Sequence, residues 1–501
     1  MNDAQASSSS QSLMASSPQP PTYKSVPKDR TYSLPSHDGA DSMSDNDIHE
    51  KNVLERRLRL KVDMRLCTIA GLLCSLNLLD SGVISSASVT SMLTDLDLTG
   101  NRYSVSIFIF TIASIAFQLP STIAVRTFGP RRWFAFITFS FGLITMCTAF
   151  VTTWKQMIAL RVLLGMAMSG IYPGLTYLIS TWYLRSEQQT RFAFLQSGEV
   201  IILATGSIVN FGLNKLNGHG GLKGWQYMFL VQGMISCVIG ILTYFWMVDF
   251  PEQAHNSLWF LTPKEQELAV SRIQADRKDV EPEKFAWSKV LIHAADPKVY
   301  GFAVLFFLLN LVSTSLSYFL PIILQSGMGF SSDKSILLSA PPYYYATIPV
   351  LLSSFVSDKY RIRGPVIIFN CLCLVVGFCM LGFASNVTVR YIGTFLATGA
   401  YISNWAALSA YQTSNIAGQW KRAFTAAFVA AFNGAGGIAG SFIVRQDEAP
   451  RYVTAVWISI GSHLMIIGLV GVFSGWFWFT NRQQRAGKRV LEGIDGFRHT
   501  Y

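Results

Sequence analysis

Twelve stretches of this 501-residue chain are each long and apolar enough to cross a lipid bilayer as a helix. A span needs about 20 mostly apolar residues, because an α-helix rises about 1.5 Å per residue through a hydrocarbon layer about 30 Å thick. Only 14% of the residues are charged, whereas soluble domains carry about 25%. The predicted spans are 66–90, 103–125, 133–153, 157–180, 192–213, 225–248, 298–323, 336–356, 365–385, 389–412, 422–444 and 452–479.

The spans form two sets of six around one hydrophilic segment. They predict an all-α membrane protein with twelve transmembrane helices in two six-helix halves. The first 50 residues are rich in Ser, Pro, Asp and Gln, a composition typical of disorder. The predicted divisions are a disordered cytoplasmic tail (1–62), an N-terminal bundle (63–248), a cytoplasmic central loop (249–297), a C-terminal bundle (298–480) and a cytoplasmic C-terminal tail (481–501).

The distribution of Lys and Arg predicts which side of the membrane each loop occupies. With both ends of the chain in the cytoplasm, the inside segments from residue 51 onward hold 28 basic residues and the outside loops hold 8. Cytoplasmic loops are enriched in Lys and Arg, so this orientation is favoured. The net charge of +11 follows from the same bias and indicates no nucleic-acid partner. The sequon at Asn386 falls in a predicted outside loop and is a candidate glycosylation site.

Two short basic turns occupy the same position in each set of six. One lies at 126–132 and the other at 357–365, and both contain Gly-Pro. An internal repeat of six helices is typical of transporters whose halves rock about a central site. The residues that we expect to serve the conformational change are Gly129, Pro130, Arg131 and Arg132 in the first turn, and Asp358, Lys359 and Arg361 in the second.

These turns resemble the inter-helix signature of the major facilitator superfamily. More narrowly, the chain resembles the fungal anion:cation symporter family, which includes allantoate permease-like proteins. The resemblance implies the major facilitator fold, a small-molecule solute, coupling to protons, a monomer in the lipid bilayer and a location in the plasma membrane. Further stretches that carry it are 96–103, 118–121, 161–165, 172–174, 182–191, 224–225, 249–251, 260–262, 418–422 and 491–498.

Four charges typical of that family are absent. Ser81 follows Leu79-Asp80 where the family has Arg, and Met168 stands where it has Glu. Gln226 and Gln232 replace an Arg and a Glu of the sixth helix. The scaffold motifs still favour a transporter, but the family's substrate chemistry does not carry over.

The few charges inside the spans are candidates for function, since each costs a few kcal/mol in a membrane (about 2.5–3.5 at the helix centre). Asp80, with Asn77 three residues away, is either a coupling carboxylate or a structural residue that fixes helix packing. Arg161 has three interpretations: binding an anionic substrate, pairing with Asp80, or reaching the membrane surface.

Glu199 lies in a polar stripe with Gln196, Gly206 and Asn210, which we expect to face the bundle interior. It is either a residue that couples protons or reads the substrate, or else a gate or structural residue near the cytoplasmic end. In the second half, Asn310, Asn404, Trp405 and Asn433 are candidate substrate contacts. The alternative for each Asn is an ordinary helix–helix hydrogen bond.

Enzyme motifs are missing from the sequence. It contains no His-Glu-x-x-His, no Gly-x-Ser-x-Gly and no phosphate-binding loop ending in Lys-Ser/Thr. We therefore expect no enzyme activity, no cofactor and no metal site. The sequence favours proton-coupled uptake of a small organic anion, vitamin or amino-acid-like solute. The alternatives are an exporter of a metabolite or drug, and a nutrient receptor that no longer transports.

The orientation is testable by labelling cysteines from outside the cell in a cysteine-free background. A cysteine at Gly218 should react with an impermeant maleimide, and one at Lys278 should not, because the charge bias places them on opposite sides. The opposite pattern would overturn the orientation.

Overall fold

The computed structural model describes residues 45–98, 100–183, 185–257, 260–277, 292–360, 362–417, 419–488, 491 and 498–501. Residues 55–501 form one contact unit, and residues 1–54 another, of which the described part is helical. Within the described ranges the chain is helical and contains no strand.

Twelve long helices follow one another in the described part of residues 55–501, and we number them α1–α12. In N-terminal order they are Thr68–Ala87, Arg102–Phe128, Pro130–Thr148, Trp154–Trp182, Arg185–Asn214, Gly224–Trp246, Pro297–Ile322, Ala340–Tyr360, Gly364–Phe383, Val387–Asn415, Gln419–Gly440 and Val453–Arg485. Shorter helices at Met92–Asp95, Pro263–Arg277 and Ser332–Leu338 are named by their residues.

The helices differ in how strongly they are apolar. Among the described residues, seven are long and apolar enough to span a membrane on composition alone: α1, α4, α5, α6, α7, α9 and α12. The bent helix α2, with a 49° break at Pro120, makes an eighth. Helix α10 is less apolar than these helices because it carries polar side chains such as Thr394, Thr398 and Asn404. Neighbouring helices bury these side chains.

Two segments expected to lack structure are partly helical. A helix covers Asp45–Val62, in the predicted disordered tail, and continues through a π-helical turn at Asp63–Cys67 into α1. Its acidic start and basic last turn suit the helix dipole, which explains helix formation in so polar a sequence. The predicted central loop contains Pro263–Arg277, while 278–291 lie outside the described residues. The predicted boundaries of the two halves stay a prediction.

Equivalent helices pack together in the two halves. Helices α2 and α4 pair as α8 and α10 do, α3 and α6 as α9 and α12 do, and α1 and α5 as α7 and α11 do. Glycines permit the closest approaches. A Cβ on Gly142 of α3 would lie 2.6 Å from the Cys237 backbone nitrogen of α6, and one on Gly436 of α11 would lie 2.2 Å from the Phe307 carbonyl oxygen of α7. The repeat inferred from the turns therefore extends to the packing of the helices.

The two basic turns lie at one end of the helices, which we call the basic end; the other is the closed end. Hydrogen bonds join the described parts of the two halves toward the closed end. Tyr103 donates to the Tyr318 carbonyl at 3.0 Å, and Gln325 donates to the Val89 carbonyl at 3.2 Å. The apolar cores follow the same division. Buried residues of the closed end of the N-terminal half join the core of the C-terminal half, whereas those of its basic end form a separate cluster, whose described members run from Leu58 to Ala269.

Asp333 of the C-terminal half contacts two residues of the N-terminal half at the closed end. Asn214 of α5 donates to its Oδ1 at 2.7 Å, and Lys215 pairs with Oδ2. The hydrogen bond from Lys215 lowers the pKa of Asp333 below its usual value of 3.8, although partial burial opposes the shift. The pair therefore contributes its full stabilisation above the usual pKa and loses it as the pH falls through the lowered one.

The Asp333→Asn substitution should increase the fraction of molecules that open at the closed end. An exposed ion pair contributes about 0.2–1 kcal/mol, so the open fraction should rise by about 1.4- to 5-fold. Spin labels at Lys155 and Lys334, in opposite halves, report the opening as longer distances. Acidification from pH 7 to pH 3 should act like the substitution in the unmodified chain and have less effect in the variant.

Asp447→Asn is the control, because Asp447 pairs with Arg445 in its own half. An identical distance distribution in Asp333→Asn and the unmodified chain would contradict the role of Asp333.

Candidate functional site

A buried ion pair lies inside the N-terminal half. Arg161 of α4 donates from Nη1 to Asp80 Oδ2 of α1 at 2.7 Å, and both side chains are 1% exposed. Of the three interpretations of Arg161, the structure shows the pairing with Asp80. Asn77 lies on α1 as expected, but its side chain is outside the described residues.

The pair leaves hydrogen-bonding capacity unused. Asp80 Oδ1, Arg161 Nε and Arg161 Nη2 are buried and have no hydrogen-bond partner among the described residues. The Nε and Nη2 donors point along one edge of the guanidinium, the edge that binds a carboxylate through two parallel hydrogen bonds. Arg161 can therefore keep its bond to Asp80 and accept a second anionic group.

Aromatic residues surround this pair where the halves meet. Tyr103 of α2 and Tyr318 of α7 both lie close enough to Asp80 and Arg161 to feel their charges. The Arg161 guanidinium carbon also lies 5.9 Å from the centre of the Phe110 ring, within cation–π range. The ion pair thus lies beside the Tyr103–Tyr318 contact that joins the halves.

Glu199 of α5 forms a second, separate site beside α1. It is half-buried, and the Cys74 thiol of α1 lies close to its carboxylate. Cys74 and Asp80 are six residues apart, which is about 9 Å along a helix. Because α5 begins at Arg185, Glu199 lies about four turns from the start of its helix, but only five residues after Phe194, where the apolar part of α5 begins.

The polar stripe of α5 faces α1. A Cβ on Gly206 would lie 2.7 Å from Leu79, and Asn210 donates to the Ser86 hydroxyl at 3.1 Å. Gln196 is half-buried on the same helix. Asn210 therefore serves packing, which leaves Glu199 and Gln196 as the candidates for function on this face.

Asn310 and Asn433 meet where α7 crosses α11. Asn310 Nδ2 donates to the Asn433 carbonyl at 2.7 Å, while Asn433 Oδ1 is buried without a partner among the described residues. One turn away, a Cβ on Gly437 would lie 3.0 Å from Asn310 and 3.6 Å from Thr111 of α2. These amides thus face the N-terminal half across the gap between the bundles.

Asn404 and Trp405 do not lie at the crossing of α7 and α11. Asn404 is fully buried, and its Nδ2 donates to the Cys371 sulfur of α9 at 3.2 Å. Trp405 donates to the Ser313 hydroxyl of α7 at 3.3 Å. Asn404 therefore packs α10 against α9, and Trp405 packs α10 against α7.

The first basic turn is held by the chain that follows α6. Gly129 has a φ of 86°, which favours glycine, and Pro130 begins α3. Arg131 donates its backbone N–H to Asp249 Oδ1 at 3.3 Å and its Nε to the Tyr244 carbonyl at 2.6 Å. Burial raises the pKa of Asp249, and the N–H bond and charge of Arg131 and the charge of Arg132 oppose that rise.

The second basic turn is only partly described. Lys359 is exposed and lies over the rings of Phe355 and Tyr360. The Asp358 side chain and the whole of Arg361 lie outside the described residues.

Sequence reasoning missed the role of Arg390. It lies at the start of a predicted span, is 8% exposed and donates to the carbonyls of Leu381, Gly327 and Pro450. A cation one turn inside an apolar helix was the signal available in the sequence. The nearby Asn386 caps α10 by accepting from the Thr388 N–H at 2.8 Å, and its glycosylation stays a prediction.

A cavity of about 590 Å³ lies between α8, α9 and α10. Its lining includes Ile348, Leu352 and Phe369, which are exposed apolar residues on the outer surface of the bundle. It is therefore distinct from the polar groups between the halves. In the described part of the chain, no group of three or more His, Cys, Asp or Glu could hold a metal ion.

Comparison with known proteins decides the family. Residues 70–441 match the model of the Major Facilitator Superfamily. The chain belongs to this superfamily. It is a multi-pass membrane transporter with the major facilitator fold, and not an enzyme.

Relatives of this superfamily member are fungal transporters. The high-affinity nicotinic acid transporter of Saccharomyces cerevisiae is 30% identical over 417 residues, which cover 83% of this chain and 76% of that protein. An uncharacterized transporter of Schizosaccharomyces pombe is 31% identical over 434 residues, covering 86% and 84%.

Solved structures confirm the fold of this superfamily member. The partially occluded inward-open xylose transporter XylE of E. coli aligns with a TM-score of 0.63 at 16% identity, over 82% of this chain and 99% of that one. A bacterial homolog of the human lysosomal transporter Spinster, in an inward-facing conformation, aligns with a TM-score of 0.57 at 13% identity, over 85% and 98%.

The Asp80–Arg161 pair can be tested with a double-mutant cycle. Asp80→Asn and Arg161→Gln should each lower stability by roughly 3–5 kcal/mol, because each leaves one charge buried without its counter-charge. The double variant should lose less than the sum of the two, since it buries no charge. Thermal unfolding of purified protein measures this. Asp447→Asn, which breaks an exposed pair, is the control and should cost about 1 kcal/mol or less. Additive losses would show that the pair does not act as a unit.

Proposed function

We propose that the protein is a proton-coupled importer of a small organic anion, a class that includes vitamin-like carboxylates and amino-acid-like solutes. It works in the plasma membrane by alternating access, as a monomer, with its basic end and both chain termini in the cytoplasm. The contacts between the halves at the closed end support an inward-facing state for this structure.

The open edge of Arg161 is the observation that carries the proposal. A buried guanidinium with two unpartnered donors favours an anionic ligand, because an unmet buried donor is costly and a carboxylate satisfies both at once. Asp80 holds the guanidinium in place and neutralises its charge while no solute is bound. The amides of Asn310 and Asn433 supply uncharged contacts from the other half.

The relatives agree with an anionic solute. The yeast relative is named a nicotinic acid transporter, and nicotinic acid carries a carboxylate at neutral pH. The family charges missing at Ser81, Met168, Gln226 and Gln232 leave Arg161 as the cation with open donors in this part of the protein. The solute therefore belongs to the carboxylates or sulfonates, whose oxygens fit one guanidinium edge.

Glu199 is the proposed proton carrier. It is half-buried, the Cys74 thiol lies close to it, and it lies apart from the Asp80–Arg161 pair. A carboxyl without a cationic partner can gain and lose a proton as its exposure to water changes during the cycle.

Uptake into cells that express the protein tests the function. Labelled nicotinate, aliphatic carboxylates, sulfonates and a neutral amide analogue are offered with and without an inward proton gradient. Gradient-dependent accumulation of an acid, but not of its amide, is the expected result. Accelerated efflux of preloaded solute would instead indicate an exporter, and solute binding without flux would indicate a receptor.

Arg161→Lys should raise the Michaelis constant at unchanged surface abundance, because a lysine cannot bind a carboxylate through two parallel bonds.

Glu199→Gln should flatten the dependence of uptake on pH between about pH 5 and pH 8, because the amide keeps the shape and cannot carry the proton. Downhill counterflow of the solute should persist, since it needs no net proton movement. Glu252→Gln, at an exposed acid after α6, is the control and should keep the unmodified pH profile. A drop in affinity at every pH would assign Glu199 to the solute instead, and an unchanged profile would assign it to structure.

A further inference from the structure

The segment His499–Tyr501 lies in a cleft at the basic end of the C-terminal half. Thr500 donates its N–H to Asn415 Oδ1 at 2.9 Å and accepts from Asn415 Nδ2 at 2.9 Å. His499 forms the same reciprocal pair with Asn481, at 2.9 Å and 2.7 Å. Two asparagine side chains thus form hydrogen bonds with both the N–H and the C=O of two successive residues, as a neighbouring β-strand would.

Further contacts fix the register of this segment. The His499 ring stacks on Phe477 of α12, with centres 4.5 Å apart and planes 22° apart. The Arg363 N–H, at the second basic turn, donates to the Tyr501 oxygen at 3.1 Å. Asn415, Asn481 and His499 are all buried, which makes this a formed site and not a chance surface contact.

The N-terminal half is held in an equivalent way. There the chain returns after α6, and Asp249 accepts from the backbone N–H of Arg131 in the first basic turn. Its carbonyl accepts from Trp182, the last residue of α4. In the C-terminal half, the segment after α12 contacts Arg363 in the second turn and Asn415, the last residue of α10. Each half therefore closes its basic end with the chain that follows its sixth helix, although the residues involved differ.

We propose that the cleft formed by Arg363, Asn415, Phe477 and Asn481 is a docking site for an extended peptide, and that His499–Tyr501 is its occupant. Docking ties the starts and ends of α9, α10 and α12 together, so that the basic end of this half moves as one body. The site recognises two consecutive backbone amides and one flat ring. It acts independently of which solute is carried.

Hydrogen exchange of the purified full-length chain tests the docking. Thr500→Pro removes the N–H that Asn415 accepts, and it lies outside every helix, so the bundle itself is unaffected. The Arg363 amide should then exchange about tenfold faster or more, since its partner is released. Asn481→Asp should have the same effect, because an oxygen replaces the donor that faces the His499 carbonyl. Arg498→Ala is the control, since Arg498 is exposed, and it should leave exchange unchanged.

A peptide added in trans separates docking from general loosening. A synthetic peptide of residues 498–501, added to the Thr500→Pro variant, should restore slow exchange at Arg363. The same peptide with proline in place of the threonine should not. Equal Arg363 exchange in Thr500→Pro and the unmodified chain, or no protection by the unmodified peptide, would overturn the proposal. If Asn481→Asp loosens α12 itself, the Thr500→Pro result decides.

Discussion

A bilayer interior offers no hydrogen-bond partner to a polar group, so each such group inside the bundle depends on another part of the chain. This constraint accounts for the helices and for most of the polar contacts between them. Asp80 and Arg161 neutralise each other, and Arg390 gathers three carbonyls that the ends of neighbouring segments leave open. Several buried groups have no partner among the described residues, and Arg161 Nε and Nη2 differ from the others because they are two donors on one edge of a single guanidinium.

Much of the fold could be predicted from the sequence, because apolar length and charge bias are properties of the chain itself. The pairing of Asp80 with Arg161 could be listed only as one of three interpretations, since residues 81 positions apart meet through tertiary packing. The proximity of Cys74 and Glu199 depends on how α1 and α5 are rotated, which the sequence does not show. Asn404 and Asn433 are alike in sequence, yet one is enclosed between α9 and α10 and the other lies between the halves.

Local signals also misled where long-range contacts decide the outcome. Arg390 lies near the end of a predicted span, where a basic residue usually lies in water. The structure buries it because three carbonyls converge on one guanidinium, which no local pattern reveals. The polar helix at Pro263–Arg277 was missed for a related reason, since Ala269 and Ile273 on it are buried against neighbours distant in sequence.

The polar contacts described between the halves at the closed end are few, and their free energies can be compared with the free energy of a conformational change. Tyr103, Gln325 and Asp333 each supply modest hydrogen bonds, and each bond contributes about 0.5–1.5 kcal/mol at most. Reversing a two-state equilibrium from 1:99 to 99:1 takes about 5.5 kcal/mol. The polar contacts together therefore contribute an amount of the same order as this free energy. Opening the closed end must also separate the apolar residues of the N-terminal half that join the core of the C-terminal half, so the polar contacts are only part of what holds that end closed.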